Sequence, residues 1–157
     1  MKAVTHYLFS AGVSLALLSL SGSPDAGRIV FALWLALSIN YLIDAMGHAS
    51  RGGGPTRTWL THSVLTAPAW GAAVSLASLT ALAQASAAAL RLTTVLYWTL
   101  FAALVSGEHL FLDSLTQAGV YSWRRRIAIA HFRYDDVPLN LGFALVGALL
   151  IAAALGR

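Results

Sequence analysis

Five apolar stretches, each close to the length of a membrane-spanning helix, dominate this sequence of 157 residues. A transmembrane helix needs about 20 mostly apolar residues, with a range of roughly 17–25. Only 10% of the residues are charged, against about 25% in an ordinary soluble domain, so lipid covers this apolar surface more readily than a soluble core does. The pattern predicts an all-α, polytopic membrane helical bundle that forms one transmembrane domain over residues 1–157. The predicted spans are Ala3–Leu20, Arg28–Met46, His62–Ala83, Leu92–Leu115 and Val137–Leu155.

The connections between these stretches differ in character. Ser21–Asp25 reads as a plain turn, and Arg51–Pro55, with three glycines and a proline, cannot continue a helix. The segment Gly119–Asp136 interleaves four arginines with tryptophan, isoleucine and phenylalanine, which suits a chain lying at the level of lipid headgroups. A soluble linker is the alternative interpretation of that segment. The first stretch also fits a signal peptide, because Lys2 precedes an apolar run that ends in small residues.

The basic residues predict how the chain is oriented. With five spans, the N-terminus and the second-to-third and fourth-to-fifth connections share one side, which carries seven of the ten lysines and arginines. The positive-inside rule places that side in the cytoplasm, so we expect an inner-membrane protein with a cytoplasmic N-terminus. A net charge of +4 distributed in this way fits membrane orientation better than nucleic-acid binding. The seven are Lys2, Arg51, Arg57, Arg124, Arg125, Arg126 and Arg133, against Arg28, Arg91 and Arg157 on the other side.

Nearly all other ionisable residues fall on the same predicted side as most of the arginines. All five histidines and five of the six acidic residues lie there, and only Asp25 lies on the opposite side. Ionisable groups within or beside apolar helices are costly and are usually functional, so this gathering predicts a site at one membrane face. Its members are His6, Asp44, His48, His62, Glu108, His109, Asp113, His131, Asp135 and Asp136.

The spacing of these residues favours a metal site. Asp44 and His48 are four residues apart, as are His109 and Asp113, so we expect each pair to share one helix face. A carboxylate and an imidazole on each of two helices, joined by His62, can surround a divalent cation. Because the chain has no cysteine, the ligands are nitrogen and oxygen, which suits zinc best and also admits manganese or iron. The alternatives are histidines that are hydrogen-bonded anchors at the interface and a merely helix-stabilising His109–Asp113 pair.

Four short motifs occur in order along the chain. Thr5–Ser10 has the form x-His-x-x-x-Ser, Asp44 precedes His48, and Arg57–Ser63 reads Arg-Thr-Trp-Leu-Thr-His-Ser. The fourth is His109-x-x-x-Asp-x-x-Thr-x-x-Gly-Val. Together they resemble the YdjM-type inner-membrane family of metal-dependent hydrolases, described in bacteria as regulated by LexA.

The agreement with that family differs between motifs. The fourth motif agrees in spacing throughout. The second is similar to the family's Asp-x-Asp-His, with one residue extra and Gly47 in place of the second aspartate. The third is similar to His-Arg-Gly-x-Thr-His-Ser but lacks its first histidine, and the stretch Arg124–Asn140 resembles an archaeal branch. The resemblance implies a membrane-embedded, phospholipase-like hydrolase.

The preferred functional hypothesis is metal-dependent hydrolysis of a phosphoester in a lipid headgroup, so the expected partners are the bilayer and a phospholipid or lipid-like substrate. Glu108, about 100° around the helix from His109, is predicted to act as general base or to reach a second metal, and His6 is grouped beside it as catalytic. The planar fork of Arg57 is predicted to bind phosphate. The predicted metal ligands are Asp44, His48, His62, His109 and Asp113, with His131, Asp135 and Asp136 as further ligands or as caps of the last helix.

Two other classes of function stay in view. One is a transporter of metal ions or protons, although transporter sites tend to lie near the bilayer midplane rather than at one end of the helices. The other is a non-catalytic membrane protein with a structural metal.

Overall fold

The computed structural model describes residues 1–22, 24–51 and 54–156, and for His48–Arg51 and Gly54–Thr56 it describes the backbone alone. The predicted helical membrane bundle is confirmed, because five helices are long and apolar enough to cross a membrane. The chain is therefore a multi-pass membrane protein. The helices are α1 (Ala3–Leu20), α2 (Ala26–Gly47), α3 (Thr66–Ser86), α4 (Leu92–Ser114) and α5 (Val137–Leu155).

The buried core lies mainly between α2 and α4. On α2, Leu35, Ile39 and Ile43 are spaced at helical intervals and are fully buried, and they cluster with Ala102 and Val105 of α4. The outward faces of all five helices are also apolar, as expected where the surrounding solvent is lipid. Helix α5 is peripheral and packs chiefly against α1.

Helix α3 begins four residues later than the sequence predicted, so His62 is not on it. The amide of Tyr121 donates to the carbonyl oxygen of His62 at 2.7 Å, and the amide of Val64 donates to that of Tyr121 at 2.9 Å. This extended pairing uses the carbonyl of His62 and the amide of Val64, which a helix starting at His62 would need for its own hydrogen bonds. The helix therefore begins only at Thr66. Pro68 then falls in the first turn of α3, where the missing N–H costs no helical hydrogen bond.

Two short antiparallel hairpins replace connections that the sequence had left without regular structure. The first pairs β1 (His48–Arg51) with β2 (Gly54–Arg57), and the second pairs β3 (Val120–Ser122) with β4 (Arg125–Ile127). Because α2 ends at Gly47 and His48 begins β1, the prediction that His48 shares a helix face with Asp44 is wrong.

Helices α1 and α5 cross in close contact at Gly12 and Gly147. A Cβ atom on Gly12 would collide with the backbone of Gly147, and one on Gly147 would collide with the carbonyl of Leu8. Small residues at such crossings let two backbones approach, which strengthens packing where lipid removes the hydrophobic drive for association.

We expect Gly147→Ala to lower the free energy of unfolding by roughly 1–3 kcal/mol, because α1 and α5 must move apart to admit the methyl group. Gly142→Ala on the same helix is the matched control, since a Cβ there meets open space. The measurement is denaturant unfolding of the detergent-solubilised protein, followed by circular dichroism. Equal stability of the two variants would contradict the close crossing.

Candidate metal centre

Four ionisable side chains meet where α2 and α4 end. Asp44 lies three residues before the end of α2, His109 and Asp113 lie one turn apart at the end of α4, and His62 lies in the connection between β2 and α3. Each offers one ligand atom, and these atoms all lie within 4.8 Å of one another. The structure therefore brings together four of the five predicted ligands, called here the candidate metal centre: Asp44, His62, His109 and Asp113.

Four of the six separations within the candidate metal centre are close to those between ligands of one ion. The Nε2 atoms of His62 and His109 each lie 3.4 Å from Oδ2 of Asp113. Oδ1 of Asp44 lies 3.5 Å from Nε2 of His109 and 3.8 Å from that of His62. In a tetrahedral zinc site with bonds of about 2.0–2.1 Å, neighbouring ligand atoms are about 3.3–3.5 Å apart. The closest pairs fall in that range, and the Asp44 pairs lie at or just beyond its upper end.

A hydrogen bond to Asn40 fixes which nitrogen of His109 carries the proton. The side-chain nitrogen of Asn40 donates to the carbonyl of Ala36 at 2.7 Å, so its Oδ1 is the acceptor that faces Nδ1 of His109, also at 2.7 Å. Nδ1 must then be protonated, so in the neutral ring the lone pair lies on Nε2. That Nε2 atom is buried and has no hydrogen-bond partner among the described residues. Its lone pair is therefore available to a cation.

Thr61 performs the same task for His62. Its hydroxyl donates to the carbonyl of Ile43 at 3.0 Å, so its oxygen accepts from Nδ1 of His62 at 3.1 Å. Nε2 of His62 is therefore the nitrogen that faces the two carboxylates. Histidines that bind metals usually donate their other ring N–H to a fixed partner in this way.

Asn40 was not identified from the sequence, and Thr61 was expected to cap a helix that begins at His62, whereas α3 begins at Thr66. A signal for Asn40 was present, because it lies one turn before Asp44 in an otherwise apolar helix, where an amide requires a partner. Thr61 carries no such signal, because its role depends on contact with Ile43 of another segment.

Asp113 is held by one carboxylate oxygen and presents the other. Its Oδ1 accepts hydrogen bonds from Nη2 of Arg57 at 2.6 Å and from Nε2 of His6 at 3.1 Å. Its Oδ2 is buried without a hydrogen-bond partner among the described residues and faces the two histidines. The Nη1 atom of Arg57 donates to Thr116 at 3.0 Å and to the carbonyl of Gly119 at 2.9 Å. Arg57 thus clamps Asp113 to the loop after α4, and its role in binding phosphate stays a prediction.

The electrostatic environment of the candidate metal centre favours a positive charge. Burial lowers the pKa of His62, but its contacts with the carboxylates of Asp113 and Asp44 outweigh this effect and raise the pKa above its ordinary value. A proton or a metal ion is therefore stabilised at the same place. The two compete, because a ligating imidazole must be neutral.

The two predicted catalytic residues lie in different environments. The ring of His6 stacks on that of His109, with centroids 4.1 Å apart, so His6 borders the candidate metal centre. Glu108 lies outside it, beside the hydroxyl of Ser10 on α1. The catalytic roles of both residues stay predictions.

Two of the further predicted ligands before α5 have other partners. Asp136 caps α5, since its side chain accepts from the amide of Leu139 at 2.9 Å. Asp135 forms an exposed ion pair with Arg133 at 3.0 Å, and this hydrogen bond lowers the pKa of Asp135. His131 is not part of the candidate metal centre. The side chain of His48 lies outside the described residues, so its role as a ligand stays a prediction.

Comparison with known proteins gives a family without an assigned activity. A family model described as a protein of unknown function (DUF1286) matches residues 1–112. The chain belongs to this family. The match includes Asp44, His62 and His109 and ends one residue before Asp113. Neither a curated protein nor a solved structure matches the chain, and the resemblance to the YdjM-type family stays a prediction.

Purified protein is expected to retain a divalent ion and to lose most of it in His109→Ala or Asp113→Ala, because each removes a converging ligand atom. Asn40→Leu should weaken metal binding by about 10–100-fold, the usual effect of losing the partner of a ligating histidine. Asp136→Ala is the control and should keep its metal. Metal content is measured by elemental analysis and metal affinity by chelator competition. Full metal occupancy in both His109→Ala and Asp113→Ala would show that neither residue is a required ligand.

Proposed function

We propose that the chain is a metal-dependent, phospholipase-like hydrolase that cleaves a phosphoester in a lipid headgroup. The observation that carries this proposal is the convergence of two histidine Nε2 atoms and two carboxylate oxygens within 4.8 Å. Both imidazoles are held by Nδ1, so their ligating nitrogens face the same point. Nitrogen and oxygen ligands support zinc as the ion, with manganese and iron as alternatives.

Three members of the candidate metal centre form its tighter part. His62, His109 and Asp113 are fully buried. Two histidines and one carboxylate are a ligand set of catalytic zinc sites, which leave the fourth position to water or substrate. A bound ion of this kind lowers the pKa of a water ligand to about 7 and polarises a phosphoryl oxygen.

Asp44 forms the accessible side of the candidate metal centre. Its side chain is 27% exposed, whereas that of Asp113 is 1% exposed. A carboxylate at this position can accept a proton from attacking water, as a general base does. Asp44 is therefore a second candidate for the base beside Glu108, and it lies closer to the ligand atoms.

The depth of the candidate metal centre supports a lipid substrate. Asp44 and Asp113 lie in the last turns of two spanning helices, which is where the phosphate of a lipid lies in a bilayer about 40–45 Å thick. A transporter site is expected nearer the midplane. The excess of basic residues on this side supports its placement in the cytoplasm.

Reporter fusions test that orientation. We expect a periplasmic reporter to be active after Asp25 and a cytoplasmic reporter to be active after Gly53, since one span separates the two positions. Signals from the same side at both positions would contradict the proposed topology.

A structural metal site is the second candidate function. Four protein ligands around one ion are typical of structural zinc sites, which have no position left for water. If Asp44 completes such a set, its removal should release the metal. If Asp44 acts as a base, the metal should remain.

We expect Asp44→Asn to keep most of its metal and to lower hydrolysis of lipid phosphoesters by about 10²–10⁴-fold, the usual effect of losing a positioned acid–base group. Glu108→Gln is assayed beside it, with metal content measured on the same samples. A loss of that size in Glu108→Gln alone would assign the base to Glu108. Metal loss from Asp44→Asn, with no cleavage by the metal-loaded wild type across a broad lipid panel, would favour the structural site and contradict the hydrolase.

A further inference from the structure

A cleft of about 430 Å³ opens between the connection that carries His62 and the second hairpin. This volume lies within the range of about 300–1,000 Å³ that is typical of ligand sites. One wall is the connection before α3 and the other is the hairpin of β3 and β4. The lining includes Trp59, Ser63, Leu65, Tyr121, Trp123 and Arg124.

The two walls are joined to each other and to a ligand of the candidate metal centre. Tyr121 exchanges backbone hydrogen bonds with His62 and Val64, at 2.7 and 2.9 Å. The hydroxyl of Tyr121 also donates to the carbonyl of Arg57 at 3.3 Å. Ser63, which lines the cleft, directly follows His62, so one connection of the chain carries both a cleft residue and a member of the candidate metal centre.

The cleft presents apolar walls and one charged residue. Trp59, Leu65 and Trp123 are 59%, 55% and 68% exposed. Tryptophans at this depth are typical of the boundary between lipid tails and headgroups. Among the described residues that line the cleft, Arg124 is the charged one, and Arg125 and Arg126 follow it on the hairpin.

The turn of the second hairpin places the side chain of Trp123 at the cleft. The φ angle of Trp123 is +57°, a left-handed conformation that bulky residues seldom adopt and that glycine or asparagine would adopt more readily. Trp123 and Arg124 form the two-residue turn between β3 and β4, and such turns require a positive φ angle at the first or at both central residues. The turn therefore holds an indole ring at the cleft beside Arg124.

We propose that this cleft binds an anionic glycerophospholipid, with an acyl chain against Trp59 and Trp123 and the charged headgroup on Arg124. The group that reaches an apolar cleft from a bilayer is a lipid tail. The guanidinium of Arg124 favours a headgroup whose net charge is negative. The proposal that the cleft binds a lipid does not require the chain to be an enzyme. Only the further step, in which the bound phosphoester reaches the candidate metal centre, rests on the proposed function.

Lipid binding to the detergent-solubilised full chain is measured by native mass spectrometry with dioleoylphosphatidylglycerol and dioleoylphosphatidylcholine. We expect the wild type to bind the anionic lipid about tenfold more tightly, the effect of one charge-assisted hydrogen bond. Arg124→Glu should abolish that preference. Arg125→Glu changes the net charge equally but lies outside the lining, so it should retain the preference.

A second pair of variants tests the apolar part of the cleft. Leu65→Trp fills it and should weaken binding of both lipids, whereas Val64→Trp, at an exposed neighbour outside the lining, should bind as the wild type does. Equal effects of Arg124→Glu and Arg125→Glu, or unchanged binding in Leu65→Trp, would overturn the proposed site.

Hydrolysis of phosphatidylglycerol vesicles by the same variants separates the two proposals. Lipid selectivity that depends on Arg124, without cleavage by the metal-loaded wild type, would overturn the hydrolase and leave the binding site standing. Cleavage that is unchanged in Arg124→Glu and Leu65→Trp would leave the hydrolase standing and overturn the cleft as its substrate site.

Discussion

The arrangement of this site depends on compensating one buried carboxylate, that of Asp113. A charge placed inside a membrane helix costs several kcal/mol unless it is paired and hydrogen-bonded. Its Oδ1 accepts hydrogen bonds from His6 of α1 and Arg57 of β2, and its Oδ2 faces His62 and His109. Three segments distant in sequence are thus drawn to the end of α4. The same contacts that offset the charge therefore assemble the candidate metal centre.

The proton positions on the two histidines indicate why a metal ion suits this cluster better than an ion-pair network. If His62 and His109 each donated Nε2–H to a carboxylate while Nδ1–H stayed bonded to Thr61 and Asn40, both rings would be imidazolium. Their centroids are 5.6 Å apart, so two buried positive rings would repel each other. One divalent ion would supply the same charge between two neutral rings and would be a partner for Oδ2 of Asp113.

Sequence reasoning succeeded where the determinants are local and failed where they are distant. The apolar runs predicted all five helices, and the four-residue spacing of His109 and Asp113 placed both on one helix face. The strand that begins at His48, directly after α2, was not predictable in this way. A side chain on Gly47 would collide with Thr61 and His62, which are remote in sequence, so this position requires glycine. Strand β1 begins at the next residue.

The position of the candidate metal centre at the membrane face follows from the kind of backbone that carries it. His62 lies in an irregular connection, and such backbone is not stable against lipid unless its polar groups are paired or reach water. Pairing with Tyr121 satisfies two of those groups, and the end of the helices supplies the boundary with water. A ligand from a connection can therefore join ligands from two helices only near the interface. The same pairing joins the two walls of the cleft and positions His62, so the proposed lipid site and the candidate metal centre depend on one structural element.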